Sequence, residues 1–281
     1  RRRDEFKPFA AALSMRRPGF SVRERPAMIP RLFTTQTLEE GGTIALSGEQ
    51  AHYLRNVLRR EAGAELRLFN ARDGEFCARL AGISKKAATA TIATRTRAPE
   101  ADPDIELLIA PVKRAALDLV IRKGTELGAF AFAPVLTDRT NTERIRIDRL
   151  EAIALEAAEQ CERLSVPAVR APAKLAETLL RWDAGRTLYF CDEAGDDPSR
   201  EWGGREGRAE PLSDVARMVG GGPSAILIGP EGGFTSEERK WLRALPFVRA
   251  VTLGPRILRA DTAAVVSLAL WQAAVGDLAR R

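Results

Sequence analysis

The sequence predicts two domains of different class: a small β domain over residues 28–100, then an α/β domain with a parallel sheet over residues 101–281. The first rests on short segments of two-residue alternation divided by glycines. The second rests on continuous apolar strand-length runs that alternate with helix-length patterns, as in a sheet covered on both faces. Composition agrees, since 281 residues with 45% hydrophobic content can bury two cores.

Residues 1–27 carry no periodicity, contain Pro8, Pro18 and Pro26, and hold eight Lys or Arg against three Asp or Glu, a net of +5. They read as a disordered, dispensable extension rather than a targeting peptide, because Asp4, Glu5, Glu24 and the prolines interrupt any basic amphipathic helix. Strands follow at Thr43–Leu46, Glu65–Asn70, Glu75–Leu80 and Ala88–Thr94. Between the first two, residues 49–60 place apolar side chains at Ala51, Leu54, Val57 and Leu58, which is helical spacing. In that helix Arg55 and Arg59 would lie one turn apart beside Arg60, a basic face.

Ala101–Asp104 reads as a linker. Beyond it come strand Ile105–Pro111, helix Arg114–Leu127, strand Ala131–Leu136, helix Ile147–Arg163, strand Thr187–Cys191, strand Ala225–Ile228, helix Ser236–Leu245, strand Ala250–Leu253 and helix Thr262–Val275. Residues 192–223, rich in Gly, Asp and Pro, read as a polar, mobile loop.

Ligands of α/β domains bind at the carboxyl ends of strands, so the loops there carry the search for chemistry. One reads Gly229-Pro230-Glu231-Gly232-Gly233-Phe234, followed by Thr235 and Glu238 at capping-box spacing. Another reads Gly254-Pro255-Arg256-Ile257-Leu258-Arg259-Ala260-Asp261-Thr262, with two arginines, an acid and a threonine among apolar residues. That composition suits an apolar-walled site with charged groups at its mouth, and equally a helix start capped by Asp261 or Thr262. No G-x-x-x-x-G-K-[ST] string exists, and the glycine run at 220–222 precedes a strand, which disfavours a dinucleotide site. A lone histidine, His52, and three scattered cysteines, Cys77, Cys161 and Cys191, argue against a metal centre, a Ser-His-Asp hydrolase and a disulfide framework. Cys161 and Cys191 are expected to pack as small hydrophobes, and His52 to serve packing or RNA contact equally.

The two glycine loops resemble the signature loops of the RsmE family, the 16S ribosomal RNA uracil-N3 methyltransferases of the SPOUT superfamily. Further matches are Arg31-Leu32-Phe33, His52-Tyr53-Leu54, Lys113, Lys123 with Glu126-Leu127-Gly128, Arg139, Glu156, Glu159-Gln160, Arg163 and Pro167, so the resemblance spans about residues 29–277. It implies a PUA-like β-barrel that grips RNA, an α/β methyltransferase domain with a deep C-terminal trefoil knot, S-adenosylmethionine as cofactor and a cytoplasmic homodimer without metal or membrane. The substrate implied is 16S rRNA, within the assembled small subunit. The resemblance places Leu227, Ile228, Gly229, Gly233, Leu253, Gly254, Ile257, Leu258, Thr262 and Ala263 around the cofactor. Arg259, Arg256 and Glu231 are the catalytic candidates, and Arg31, Arg55, Arg59, Arg60, Lys113, Lys123 and Arg139 the RNA-binding ones. Where the family has a Lys-Gly-acid-basic run this chain reads Lys113-Arg114-Ala115-Ala116, and Asp261 stands for the family's Glu, so no catalytic work falls to Ala115. Two rivals stay open: methylation of another rRNA or tRNA base, and a non-catalytic RNA-binding homologue.

Charge sharpens the division. The net charge of +6 comes mostly from residues 1–27; residues 28–100 carry +3 and residues 101–281 carry −2. A basic module beside a near-neutral catalytic one fits a polyanionic substrate better than the total does.

Overall fold

A computed structural model describes residues 29–85, 87–140, 145–192 and 209–279. The expectation for residues 1–27, and that for 193–208 within the stretch 192–223, lies outside the described residues.

The N-terminal unit is a curled five-stranded sheet. Its strands are β1 (Arg31–Phe33), β2 (Thr43–Leu46), β3 (Glu65–Asn70), β4 (Gly74–Ile83) and β5 (Ala88–Arg97), in the spatial order β1-β3-β4-β5-β2. The β1–β3 pair is parallel and the rest antiparallel. Three register shifts between β4 and β5 bend the long strands, as bulges do, and wrap the sheet around Leu66, Leu68, Phe76, Leu80 and Ile92. α1 (Gly48–His52) starts on a capping box between Ser47 and Gln50, and its Ala51, with Leu54 just beyond the helix, is fully buried in the core of this sheet.

The helix expected over 49–60 does not run through. After α1 the chain widens into a π turn, Tyr53–Val57, in which the Leu58 amide bonds the Tyr53 carbonyl, and Arg59 follows in the left-handed region at φ 53°. The wider turn keeps Leu58 against the core while Val57 is exposed. Arg55 and Arg59 are therefore not one helical turn apart. Arg55 projects from the π turn, and Arg59 lies beyond the helix end, where the Arg60 amide closes onto the Leu54 carbonyl.

The C-terminal unit is an all-parallel sheet between two layers of helices. It comprises β6 (Ile105–Ile109), α2 (Arg114–Glu126), β7 (Ala131–Leu136), α3 (Ile147–Gln160), β8 (Ala168–Val169), β9 (Ala173–Lys174), α4 (Leu175–Leu180), β10 (Thr187–Cys191), β11 (Glu210–Pro211), α5 (Leu212–Val219), β12 (Ser224–Ile228), α6 (Ser236–Ala244), β13 (Val248–Thr252) and α7 (Ala260–Val275). The strand order is β11-β13-β10-β12-β6-β7-β8, with β9 beside β7. Alternate residues serve opposite faces: Tyr189, Ile226 and Ile228 meet the core under α2, α5 and α7, whereas Phe190, Ala225 and Leu227 meet the core under α4 and α6. This double coverage accounts for the uninterrupted apolar runs of the sequence.

Three expectations need correction. Part of the loop assigned to 192–223 is ordered: α5 buries Leu212, Val215 and Ala216 and packs against α7. α7 begins at Ala260, so neither Asp261 nor Thr262 is its N-cap; Arg259 holds that position and offers no acceptor. Cys161, expected to pack, is exposed beyond the end of α3, while Cys191 is buried as expected.

Candidate active site

β12, β10 and β13 lie side by side, and their carboxyl ends open into one cleft of about 1010 Å³. That volume is at the upper end of the range for small-molecule sites. The first glycine loop forms one lip, the second the other, and the start of α2 closes the third side with Lys113, Ala115, Ala116 and Leu119.

The first loop is pinned at both ends. Gly229 lies over the ring of Phe234, and a Cβ added there would sit 2.5 Å from the ring, so only glycine lets the loop fold down on it. Phe234 in turn meets Phe190 edge to face at a centroid distance of 4.9 Å. The Gly233 amide bonds the Pro230 carbonyl at 2.9 Å, and Thr235 and Glu238 form the expected capping box at the start of α6. Arg139 donates to the Gly232 carbonyl at 3.0 Å from outside.

The second loop leaves β13 at Gly254, whose φ of 115° excludes side chains. It then presents Arg256, Ile257, Leu258 and Arg259 in sequence at the cleft. Arg256 and Arg259 are exposed and have no ion-pair partner among the described residues. Two guanidinium groups without an ion-pair partner among the described residues thus face a cleft with apolar walls. Lys113 and Glu231 stand at its rim, likewise without an ion-pair partner among the described residues.

Of the residues expected around a cofactor, Ile228, Gly229, Leu253, Gly254, Ile257, Leu258 and Ala263 line the cleft, together with Arg256, Arg259, Glu231 and Lys113. Leu227, Gly233 and Thr262 do not. Leu227 points to the opposite face of the sheet and is fully buried there; Gly233 shapes the turn behind the lip; Thr262 is exposed on α7, its hydroxyl against Asp261.

Among the lining residues that the sequence analysis did not place at the site are Cys191 and Asp192. Cys191 ends β10 and Asp192 follows it at the floor of the cleft, where Asp192 is clamped by Arg239 and Arg243 from α6. The signal was present, since Asp192 follows a strand as the two glycine loops do.

The RNA-binding candidates divide. Arg31 is not available to a phosphate: its side chain is 7% exposed, pairs with Glu75 at 2.6 Å and lies 3.5 Å over the Phe69 ring. Arg139 is engaged with the glycine loop, and Lys123 with Glu126 at 2.8 Å, a surface pair of small worth. Arg55, Arg59 and Lys113 are exposed, and Arg60 is half-buried.

Comparison with known proteins agrees with this geometry. A family model described as an RNA methyltransferase domain matches residues 99–272, and one described as an RNA methyltransferase PUA domain matches residues 46–93. Among curated proteins, the ribosomal RNA small subunit methyltransferase E of Bacillus subtilis is 31% identical over 84% of this chain and 91% of its own. That of Synechocystis is 33% identical over 81% of this chain and 72% of its own. The chain belongs to the ribosomal RNA small subunit methyltransferase E family. Solved structures of the same kind superpose over nearly their full length. The methyltransferase E of Neisseria gonorrhoeae, bound to S-adenosyl methionine, has a TM-score of 0.75 at 29% identity, covering 89% of this chain and 99% of that one. A Legionella pneumophila methyltransferase in complex with the same cofactor has a TM-score of 0.72 at 28% identity, covering 89% of this chain and 99% of that one. The fold is therefore the α/β methyltransferase fold of that family, preceded by its PUA domain.

Proposed function

We propose that the chain transfers a methyl group from S-adenosylmethionine to ring nitrogen N3 of a uridine in 16S rRNA, within the assembled small ribosomal subunit. The observation that carries this is the pair of exposed arginines, Arg256 and Arg259, on the lip of an apolar cleft built from glycine loops. Family membership supports the enzyme class and the cofactor.

The cleft suits the cofactor chemically. Leu253, Ile257, Leu258 and Ala263 supply an apolar wall, and the open backbone at Gly229 and Gly254 offers amides and carbonyls to a base edge. When bound, S-adenosylmethionine supplies an electrophilic methyl group on a sulfonium. The protein's task is to make N3 of uracil nucleophilic, for it carries an imide proton and its anion spreads charge onto the ring oxygens. Arg259 and Arg256 stabilise that charge as fixed cationic donors in a partly dry site. Glu231 is the better candidate for accepting the proton, since Asp261 is already committed through Oδ1 to the Thr262 amide at 2.7 Å. Lys113 at the cleft and Arg55, Arg59 and Arg60 on the β domain hold backbone phosphates, which fixes register without reading sequence. The base enters the cleft unpaired or extruded.

In this reading residues 28–100 are the RNA-binding domain and residues 101–281 the methyltransferase domain. The chain after β13 threads through the trefoil knot to reach α7, which packs on α2, α5 and β12. The protein works as a cytoplasmic homodimer; α7 is mostly apolar, and Ile257 and Leu119 at the cleft are exposed. The test is methylation of small subunits from a strain lacking the family's activity, followed by mass mapping of the rRNA. One new methyl group on uridine N3 is expected, and methylation elsewhere or none overturns the reading.

A further inference from the structure

We propose that Arg31 is a positioning residue: it latches the β domain to the methyltransferase domain, so that RNA held by the one reaches the cleft of the other in a fixed register. The inference rests on the RNA methyltransferase reading above.

Every hydrogen-bonding nitrogen of Arg31 is used, and across two domains. Nε donates to Glu75 at 2.6 Å within the β domain, while Nη1 donates to the Ala158 carbonyl at 2.8 Å and Nη2 to the Arg163 carbonyl at 2.7 Å. Glu75 is 1% exposed and also accepts from Arg67 and Thr96, which fixes the carboxylate that fixes the arginine. The Phe33 amide donates to Glu159 at 3.0 Å, and Arg97 donates to the Glu162 carbonyl at 2.6 Å. The contacts that cross between the domains converge on residues 158–163, the last turn of α3 and the three residues after it.

The end of α3 is a natural receiver. The last carbonyls of a helix lack partners and carry the negative end of its dipole, so they favour cationic donors. Here Arg31 of the neighbouring domain supplies such a donor to the Ala158 carbonyl, and Arg31 and Arg97 bond the carbonyls of Arg163 and Glu162 just past the helix end. The same segment then turns its own arginine to the next helix: Arg163 donates to the carbonyl of Thr125 in the last turn of α2, to that of Ala129 just beyond it, and to Asp102 in the linker. The other end of α2, about 20 Å away at helical rise, is the side of the cleft that carries Lys113. One line of arginine-to-carbonyl contacts therefore joins the β domain to the wall of the site. A lysine at position 31 would deliver a single point charge in place of the planar fork.

The experiment compares wild type with Arg31→Ala, Arg31→Lys and Glu75→Gln. It measures cofactor binding, methylation kinetics on small subunits, the salt dependence of RNA binding, and hydrogen exchange at Phe33 and residues 158–163. The latch predicts cofactor affinity within about twofold of wild type, a KM for the RNA substrate raised on the order of tenfold or more, and a smaller change in kcat. Exchange at Phe33 quickens in all three variants. The salt slope stays unchanged, because a latched Arg31 touches no phosphate. A slope lowered by about one in Arg31→Ala alone, with Glu75→Gln behaving as wild type, overturns the proposal in favour of direct phosphate binding by Arg31. Unchanged exchange overturns it as well, as does a parallel loss of cofactor binding. If Arg31→Ala does not fold, Arg97→Ala, which removes one partly exposed hydrogen bond of the same junction, gives the same KM and exchange effects in smaller measure; its failure to do so overturns the latch. Failure of wild type to methylate rRNA defeats the functional reading alone, since the exchange result stands without activity.

Discussion

Asp192 and Arg239 join the floor of the cleft to the helix behind its glycine loop. Arg239 Nε lies 2.8 Å from one carboxylate oxygen of Asp192, and Arg243, one turn further along α6, lies 2.7 Å from the other. Asp192 is 1% exposed, so its charge is held by these two cations rather than by water. The pairing fixes α6, and with it the capping box that ends the loop over the cofactor site. Asp192→Asn strands two cations and is expected to cost roughly 3 kcal/mol of stability, read as a lowered denaturant midpoint, together with weaker S-adenosylmethionine binding. An unchanged midpoint rules out the clamp.

Arg259 and Arg256 are expected to matter for rate rather than for cofactor binding. Their charges face the cleft with no ion-pair partner among the described residues, the arrangement in which a fixed donor stabilises developing charge. Arg259→Ala should lower kcat by on the order of a hundredfold to a thousandfold while the cofactor dissociation constant stays within about twofold. Single-turnover methylation of small subunits alongside a cofactor titration separates the two.

Gly229→Ala tests the lip of the cleft. The added methyl would fall 2.5 Å from the Phe234 ring, which is itself held edge to face by Phe190. Either the ring leaves its pocket or the loop lifts, at about 1–3 kcal/mol. The expected outcome is lost stability together with weaker cofactor binding, by thermal melts with and without S-adenosylmethionine. Stabilisation by the cofactor equal to that of wild type would show that the loop's position does not matter.

Much of this site was legible in the sequence because strand, glycine and cap coincide. Gly229 to Phe234 and Gly254 to Asp261 each follow an apolar strand, and both loops line the cleft. Asp192 follows a strand too, but it opens a polar stretch that reads as a loop, and its partners Arg239 and Arg243 are distant in sequence. α5 was hidden similarly: Leu212, Val215, Ala216 and Val219 have helical spacing, yet glycines and charged residues surround them. Arg31 shows a deeper limit. The guanidinium that suits a phosphate also suits a buried carboxylate and two helix-end carbonyls, and only the fold decides which of these it meets.

The β domain's exposed arginines should govern salt dependence. Arg55 on the π turn and Arg59 after it are exposed and make no ion pair among the described residues. Reversing both charges, Arg55→Glu with Arg59→Glu, should weaken RNA binding and lower the slope of log affinity against log salt by about one for each phosphate that is no longer neutralised. A slope equal to that of wild type would make this turn a solvated face only.

The junction between the domains should also set the acid limit of the protein. Burial alone would push the Glu75 carboxyl upward, but Arg31, Arg67 and Thr96 outweigh it and hold the group below the ordinary glutamate value. A lowered folded value means that the stability this carboxylate contributes is present above the unfolded value, about 4.3. It is lost as pH falls through the folded value. Glu159 has the opposite sign. Burial raises it, only partly offset by the Phe33 amide and the charge of Arg31, so its protonated form is favoured by folding and its contribution falls as pH rises through the raised value. Lowering the pH from 7 to about 4.3 should therefore relieve the cost at Glu159 while Glu75 still holds Arg31, and further acidification should break the junction. Denaturant midpoints measured across this range should show the acid loss blunted in Glu75→Gln, whose stability is already lower at neutral pH. Glu159→Gln should instead flatten the profile above the ordinary glutamate range. Identical pH profiles for wild type and Glu75→Gln would remove Glu75 as the group that ties the junction to pH.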